Sequence, residues 1–128
     1  MSCKAYLNLD GKDYRVLKCD YEFTQKVDAI GKPSSINYGG RIDITIESTD
    51  SDLLPNWMVD NYERKSGTIT FKKADSDAKL KEVKFEDGYC VKYRENFDAY
   101  NEETMTETFT ISARKIEIGT ACHENEWV

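Results

Sequence analysis

Residues 63–97 read ERKSGTITFKKADSDAKLKEVKFEDGYCVKYRENF, and the alternation inside this stretch decides the fold. Ile69 and Phe71 alternate with Thr68, Thr70 and Lys72. After the polar turn at 74–78, Val83 and Phe85 alternate with Glu82 and Lys84, and Tyr89, Val91 and Tyr93 with Cys90 and Lys92. Apolar residues at every second position put one face of a strand toward a core and the other toward water. Asp87-Gly88 is compatible with a tight hairpin, or with a corner where one long strand turns between sheets.

The same period recurs on both sides. Cys3, Ala5, Leu7 and Leu9 form a first apolar face, and Asp10-Gly11 suits a type I′ turn, which needs positive φ. Tyr14 and Val16 open the return strand. Leu17, Cys19, Tyr21 and Phe23 continue it on the other parity, which predicts a bulge near 16–17. Ile42, Ile44 and Ile46 alternate with Arg41, Asp43, Thr45 and Glu47. Met105, Glu107, Phe109, Ile111 and Ala113 alternate with Thr104, Thr106, Thr108, Thr110 and Ser112. Ile116 and Ile118 then change parity, which predicts a second bulge near 114–115.

Residues 51–61 give the helix. Ser51 or Asp52 can accept first-turn N–H groups, Pro55 falls in the first turn, and Leu54, Trp57 and Met58 make one stripe for packing on the sheet. Links this short favour antiparallel pairing. The expectation is a mainly β fold: a two-sheet antiparallel β-barrel with one short flanking α-helix, a single domain over 1–128. The stretch 24–40 breaks the pattern and reads as a contact arm or a floppy insertion.

The formal net charge of −6 disfavours nucleic acid and anionic membrane as partners. No apolar run is long enough for membrane insertion, and no secretory signal pattern opens the sequence. The four cysteines, Cys3, Cys19, Cys90 and Cys122, match no zinc spacing and read as reduced thiols. His123 is the one histidine. Beside Cys122 and Glu124 it could suggest a nucleophile and base or a metal site, but adjacent side chains of an extended segment diverge. No catalytic set and no cofactor loop emerges. The Thr/Ser face of 104–112 reads as a solvent face, or as one that lines a shared cavity or meets another subunit.

The ordered set CKAYLNLDGKDYRVLKC, DAIGKPSSINYGGRIDITIES, NYERKSGTITFKK, DSDAKLKEVKF, YCVKYRENFDA, MTETFTISARKIEIG and HENEWV resembles the haemolysin-coregulated protein (Hcp, TssD) family nearly end to end, in its short divergent branch. The resemblance implies a structural tube protein of type VI secretion and no enzyme. Subunits of this kind form homohexameric rings that stack into a hollow tube. A contractile sheath expels the tube, a spike protein tips it, and the lumen carries effector proteins. It implies cytoplasmic synthesis, then export by the machine without a signal peptide, and makes Asp87-Gly88 a corner in one strand. Lys32, Pro33, Ser34, Ser35, Ile36, Asn37 and Tyr38 become the expected contact with the next ring. Arg41, Asp43, Thr45, Glu47, Thr106, Thr108 and Thr110 become candidates for the lumen or the subunit interface, and Trp127 is expected to pack on its own barrel or a neighbour. The competing reading is a monomeric ligand-binding β-barrel, which requires an enclosed apolar cavity.

Overall fold

Asp10 and Gly11 have φ of 52° and 78°, the pair of positive values a type I′ turn demands, and they join the first two strands. This is a computed structural model, and it describes residues 3–23, 29–31, 40–73, 78–100, 105–119 and 121–124, with backbone alone for residue 3 and for 121–124. The elements are β1 (Cys3–Leu9), β2 (Lys12–Tyr21), β3 (Arg41–Glu47), α1 (Leu53–Val59), β4 (Lys65–Lys73), β5 (Lys79–Phe97), β6 (Met105–Ile118) and β7 (Ala121–Glu124). Hydrogen bonding runs β3-β2-β1-β4-β5-β6-β7, and β3 also pairs with β6 and closes the barrel. All pairings are antiparallel. The barrel with its one short helix is the expected architecture, with its two walls joined as one continuous sheet.

The walls arise because the long strands serve both. The first part of β5 pairs with β4, while 92–97 pair with β6 alone among the described residues. β2 likewise pairs with β1 up to Val16 and with β3 from Val16 to Tyr21. Its register shifts between Val16 and Lys18, which is the bulge the parity change called for. One wall therefore reads β2 (second half), β3, β6 (first half), β5 (second half).

Asp87-Gly88 is a corner within β5. Opposite Ser66 the strand carries two residues, because Lys65 pairs with Gly88 and Gly67 with Phe85. Asp87 takes φ of 52°, donates its N–H to Ser66 Oγ at 3.2 Å, and accepts from Arg114 Nε at 2.7 Å. The buried face of β5 thus moves from Val83 and Phe85 to Gly88 and Cys90. β6 turns beside it, from Ala113 to Ile116, with no register shift against β5 between 113 and 118. The expected bulge at 114–115 is therefore a shared bend of two paired strands. The one shift in this pair, among the described residues, lies between Cys90 and Lys92. It leaves Val91 42% exposed and buries Cys90, the reverse of the simple alternation.

A side chain on Gly88 has no room. A Cβ there would lie 2.7 Å from Ile111 Cγ2 and 3.2 Å from the Lys65 carbonyl oxygen. Gly88→Ala is expected to cost about 1–3 kcal/mol, since a backbone atom cannot yield as a side chain could. A urea midpoint equal to wild type would refute this.

The described side chains build an apolar core. Leu7, Ile44, Ile69, Phe85, Phe109 and Ile111 belong to one buried cluster with Leu54 and Trp57 of α1. The helix is shorter than the sequence suggested, starting at Leu53, and Ser51 Oγ accepts its first N–H at 3.3 Å. Tyr14 Oη meets the same Ser51 Oγ at 3.3 Å, which ties the helix entry to β2.

Candidate functional site

The predicted surface residues of β3 and β6 come together. The register sets Arg41 opposite Ser112, Asp43 opposite Thr110, Thr45 opposite Thr108 and Glu47 opposite Thr106. All of them lie on the outward side, because Ile42, Ile44 and Ile46 take the core side. The Thr110 hydroxyl donates to Asp43 Oδ1 at 2.5 Å, and the Thr45 and Thr108 hydroxyls meet at 3.1 Å. The result is a row of cross-strand polar pairs down the middle of one wall. Thr110, held between β3 and β5, is 7% exposed, so it is a buried partner of Asp43 more than a free surface group. The segment 32–38 lies outside the described residues, as does Trp127.

Pairing extends this row to residues that strand-by-strand reading did not gather. Asp20 of β2 is opposite Asp43, and Lys18 is opposite Thr45. On the other flank, Lys92 and Arg94 of β5 are opposite Thr110 and Thr108. Each of these four alternates with a core residue of its strand, but only the strand order reveals that they share a face.

On the core side of this wall, Glu107 is 2% exposed and is opposite Glu95 across the β5–β6 pair. The Tyr93 hydroxyl donates to Glu107 Oε1 at 2.5 Å and also contacts Glu95. Burial, with the two carboxylates beside it, pushes the Tyr93 phenol well above its ordinary range. No recognisable reaction needs this arrangement, which satisfies a buried carboxylate.

Among the described side chains, the thiols of Cys19 and Cys90 are poor nucleophiles. Burial, reinforced by Asp20 and Asp43, pushes Cys19 up to about 12. Burial raises Cys90 to about 11, although its Sγ donates to the Lys92 carbonyl at 3.5 Å. Cys122 and His123 sit at successive positions of β7, opposite Glu117 and Ile116. Among the described residues no three His, Cys, Asp or Glu side chains converge as metal ligands. Among the described residues, Trp57, Phe85 and Phe109 are fully buried in the core cluster, in the kind of space where the competing reading needs a ligand chamber.

The family model of the hemolysin coregulated protein Hcp (TssD) matches residues 1–128. Hcp1 from Flavobacterium johnsoniae is 51% identical, with a TM-score of 0.91 over 95% of this chain and 99% of that one. Hcp1 from Salmonella typhimurium shares the fold at 15% identity, with a TM-score of 0.78 over 97% of this chain and 95% of that one. A chain from the sheath–tube complex of an extracellular contractile injection system, PVC, in its extended state, shares it at 14% identity, with a TM-score of 0.55 over 91% and 88%. No curated protein matches. A full-length family match and a relative at half identity agree with the barrel and its polar outer wall: the chain belongs to the Hcp (TssD) family, the structural tube proteins of type VI secretion, whose work is assembly and not catalysis.

Proposed function

We propose that this chain closes into homohexameric rings that stack into the inner tube. The observation that carries this is the pair of open strand edges on one wall. Among the described residues, 92–97 of β5 pair with β6 only, and 18–21 of β2 pair with β3 only. These edges flank a four-strand wall on opposite sides. Open edges recruit further strands. Joining one edge to the other edge of the next copy is a heterologous contact, which generates a ring when the rotation closes.

In such a ring the remainder of each barrel needs the greater girth, so it lies outside and the polar wall faces the axis. Arg41, Asp43, Thr45, Glu47, Thr106 and Thr108 then line the lumen, with Thr110 anchoring Asp43 behind them. The wall carries both signs of charge: Lys18, Arg41, Lys92 and Arg94 stand among Asp20, Asp43 and Glu47. Sixfold repetition would therefore multiply a mixed polar surface, hospitable to effector proteins of either charge. Lys72 and Lys84 belong to the opposite wall, on the side that a contractile sheath would cover. Residues 32–38, which connect β2 to β3, reach the adjacent ring, and a spike protein caps the stack. Synthesis in the cytoplasm and export by the contractile machine complete the reading.

Electron microscopy and light scattering of the purified protein are expected to show hexameric rings. Deleting 32–38 should leave rings intact and abolish their stacking. Monomers alone at high concentration would overturn the ring, and unchanged stacking would overturn the role of 32–38.

A further inference from the structure

The two open edges carry opposite charge, and we infer that these charges choose the partner edge and set its register. On the outward side of the β5 edge stand Lys92, Arg94 and Asn96, all exposed. On the outward side of the β2 edge stand Lys18 and Asp20, both exposed, and Glu22, also exposed, is the next residue after the strand ends. Among the described residues neither Lys92 nor Arg94 makes an ion pair. Asp20 has only a loose contact with Lys18, at 3.9 Å with both side chains more than half exposed. The partner that fits is a second copy of this chain, so the inference rests on the ring reading and gives it a residue-level rule.

The strand directions make the fit testable. Within one wall, Lys92 is level with Asp20 through Thr110 and Asp43, and Arg94 is level with Lys18 through Thr108 and Thr45. The β5 edge of one copy would run antiparallel to the β2 edge of the next. Joined flush, Arg94 would face Lys18. A closed sheet requires a stagger between strands. A stagger of two residues sets Lys92 against Glu22, Arg94 against Asp20, and Asn96 against Lys18. Every outward pair is then favourable, and all side chains keep their faces, because the strand period is two.

The same charges exclude the wrong assemblies. Two β5 edges would bring Lys92 and Arg94 against their own copies, and two β2 edges would bring Asp20 against Asp20 or Glu22, with relief only in the register where Lys18 meets Glu22. Isologous dimers are disfavoured on both sides, and the head-to-tail contact remains.

The test uses two charge-reversed chains, Lys92→Glu/Arg94→Glu and Asp20→Lys/Glu22→Lys. The first is acidic on both edges and the second basic on both. Each alone is expected to lose the ring and run as a monomer in light scattering, with a thermal unfolding transition that shows it folded. Mixed in equal amounts they should recover rings, with the two chains in equal proportion by native mass spectrometry, since an even-membered ring can alternate them. Rings from either variant alone would overturn the charge rule. So would a mixture that stays monomeric under conditions where the wild-type chain forms rings. A wild-type chain that forms no ring would instead overturn the ring reading itself, and the rule with it.

Discussion

Trp57→Ala is expected to cost about 3–5 kcal/mol, a large share of the roughly 5–15 kcal/mol that holds a domain folded. Trp57 is fully buried, and with Leu54 it is the means by which α1 joins the barrel core. The helix has 7 residues, too few to persist without packing. Its Asp52 makes no side-chain cap, so the buried stripe is the main hold on it, beside the Ser51 Oγ contacts at its entry. The indole Nε1–H also donates to the Glu63 carbonyl at 3.1 Å, across the turn that leads into β4. Alanine would leave a cavity the size of an indole and remove the donor from that carbonyl. Val59→Ala is the control, because Val59 is 78% exposed on the same helix. Its effect should stay within about 0.5 kcal/mol. Urea denaturation of the two variants decides the matter, and equal shifts would show that the helix is not anchored through Trp57.

Much of this fold could be read from alternation alone. The isoleucines of β3, the odd-numbered core residues of β6 and the Asp10-Gly11 turn are local signals, and each kept its meaning in the structure. The bulge at 16–17 was legible because a parity change within one strand has few other causes. The corner at Asp87 was not, because its cause lies outside β5. The chain bends there since Ser66, Arg114 and the side chain of Ile111 close around 87–88, and all three come from other strands. The parity change at 114–115 misleads for the same reason: a bend that two paired strands share looks like a bulge when one strand is read by itself. The candidate surface shows the same division. Arg41, Asp43, Thr45 and Glu47 could be grouped because they share one strand. Lys18, Asp20, Lys92 and Arg94 join them only through long-range pairing, which spacing in the sequence does not encode.

Tyr93→Phe is the second large effect expected, because it leaves a buried carboxylate without its donor. Glu107 stands on the core side of β6 between Ile46 of β3 and Glu95 of β5. With its neighbours apolar or acidic, the Tyr93 hydroxyl is the donor that makes its burial tolerable. Removing that hydroxyl is expected to cost about 1–3 kcal/mol, more than an average hydrogen bond, because the acceptor stays behind and stays buried. Tyr93→Phe/Glu107→Leu should recover part of the loss, since the orphaned group is then gone too. No recovery would show that the cost lies in packing and not in the carboxylate. The pH dependence supplies an independent readout. Tyr93 releases its proton above the ordinary phenol value of 10.0 in the native state, and close to that value when unfolded. Below pH 10.0 the phenol is protonated in both states and its contribution is complete. Above it the unfolded chain ionises first, so native stability falls as pH rises. Other tyrosines also titrate there, Tyr21 among them with its phenol likewise pushed up by burial, so the informative quantity is the difference between wild type and variant. That difference should shrink steadily as pH climbs above the phenol range, whereas a constant gap would assign the effect to packing alone.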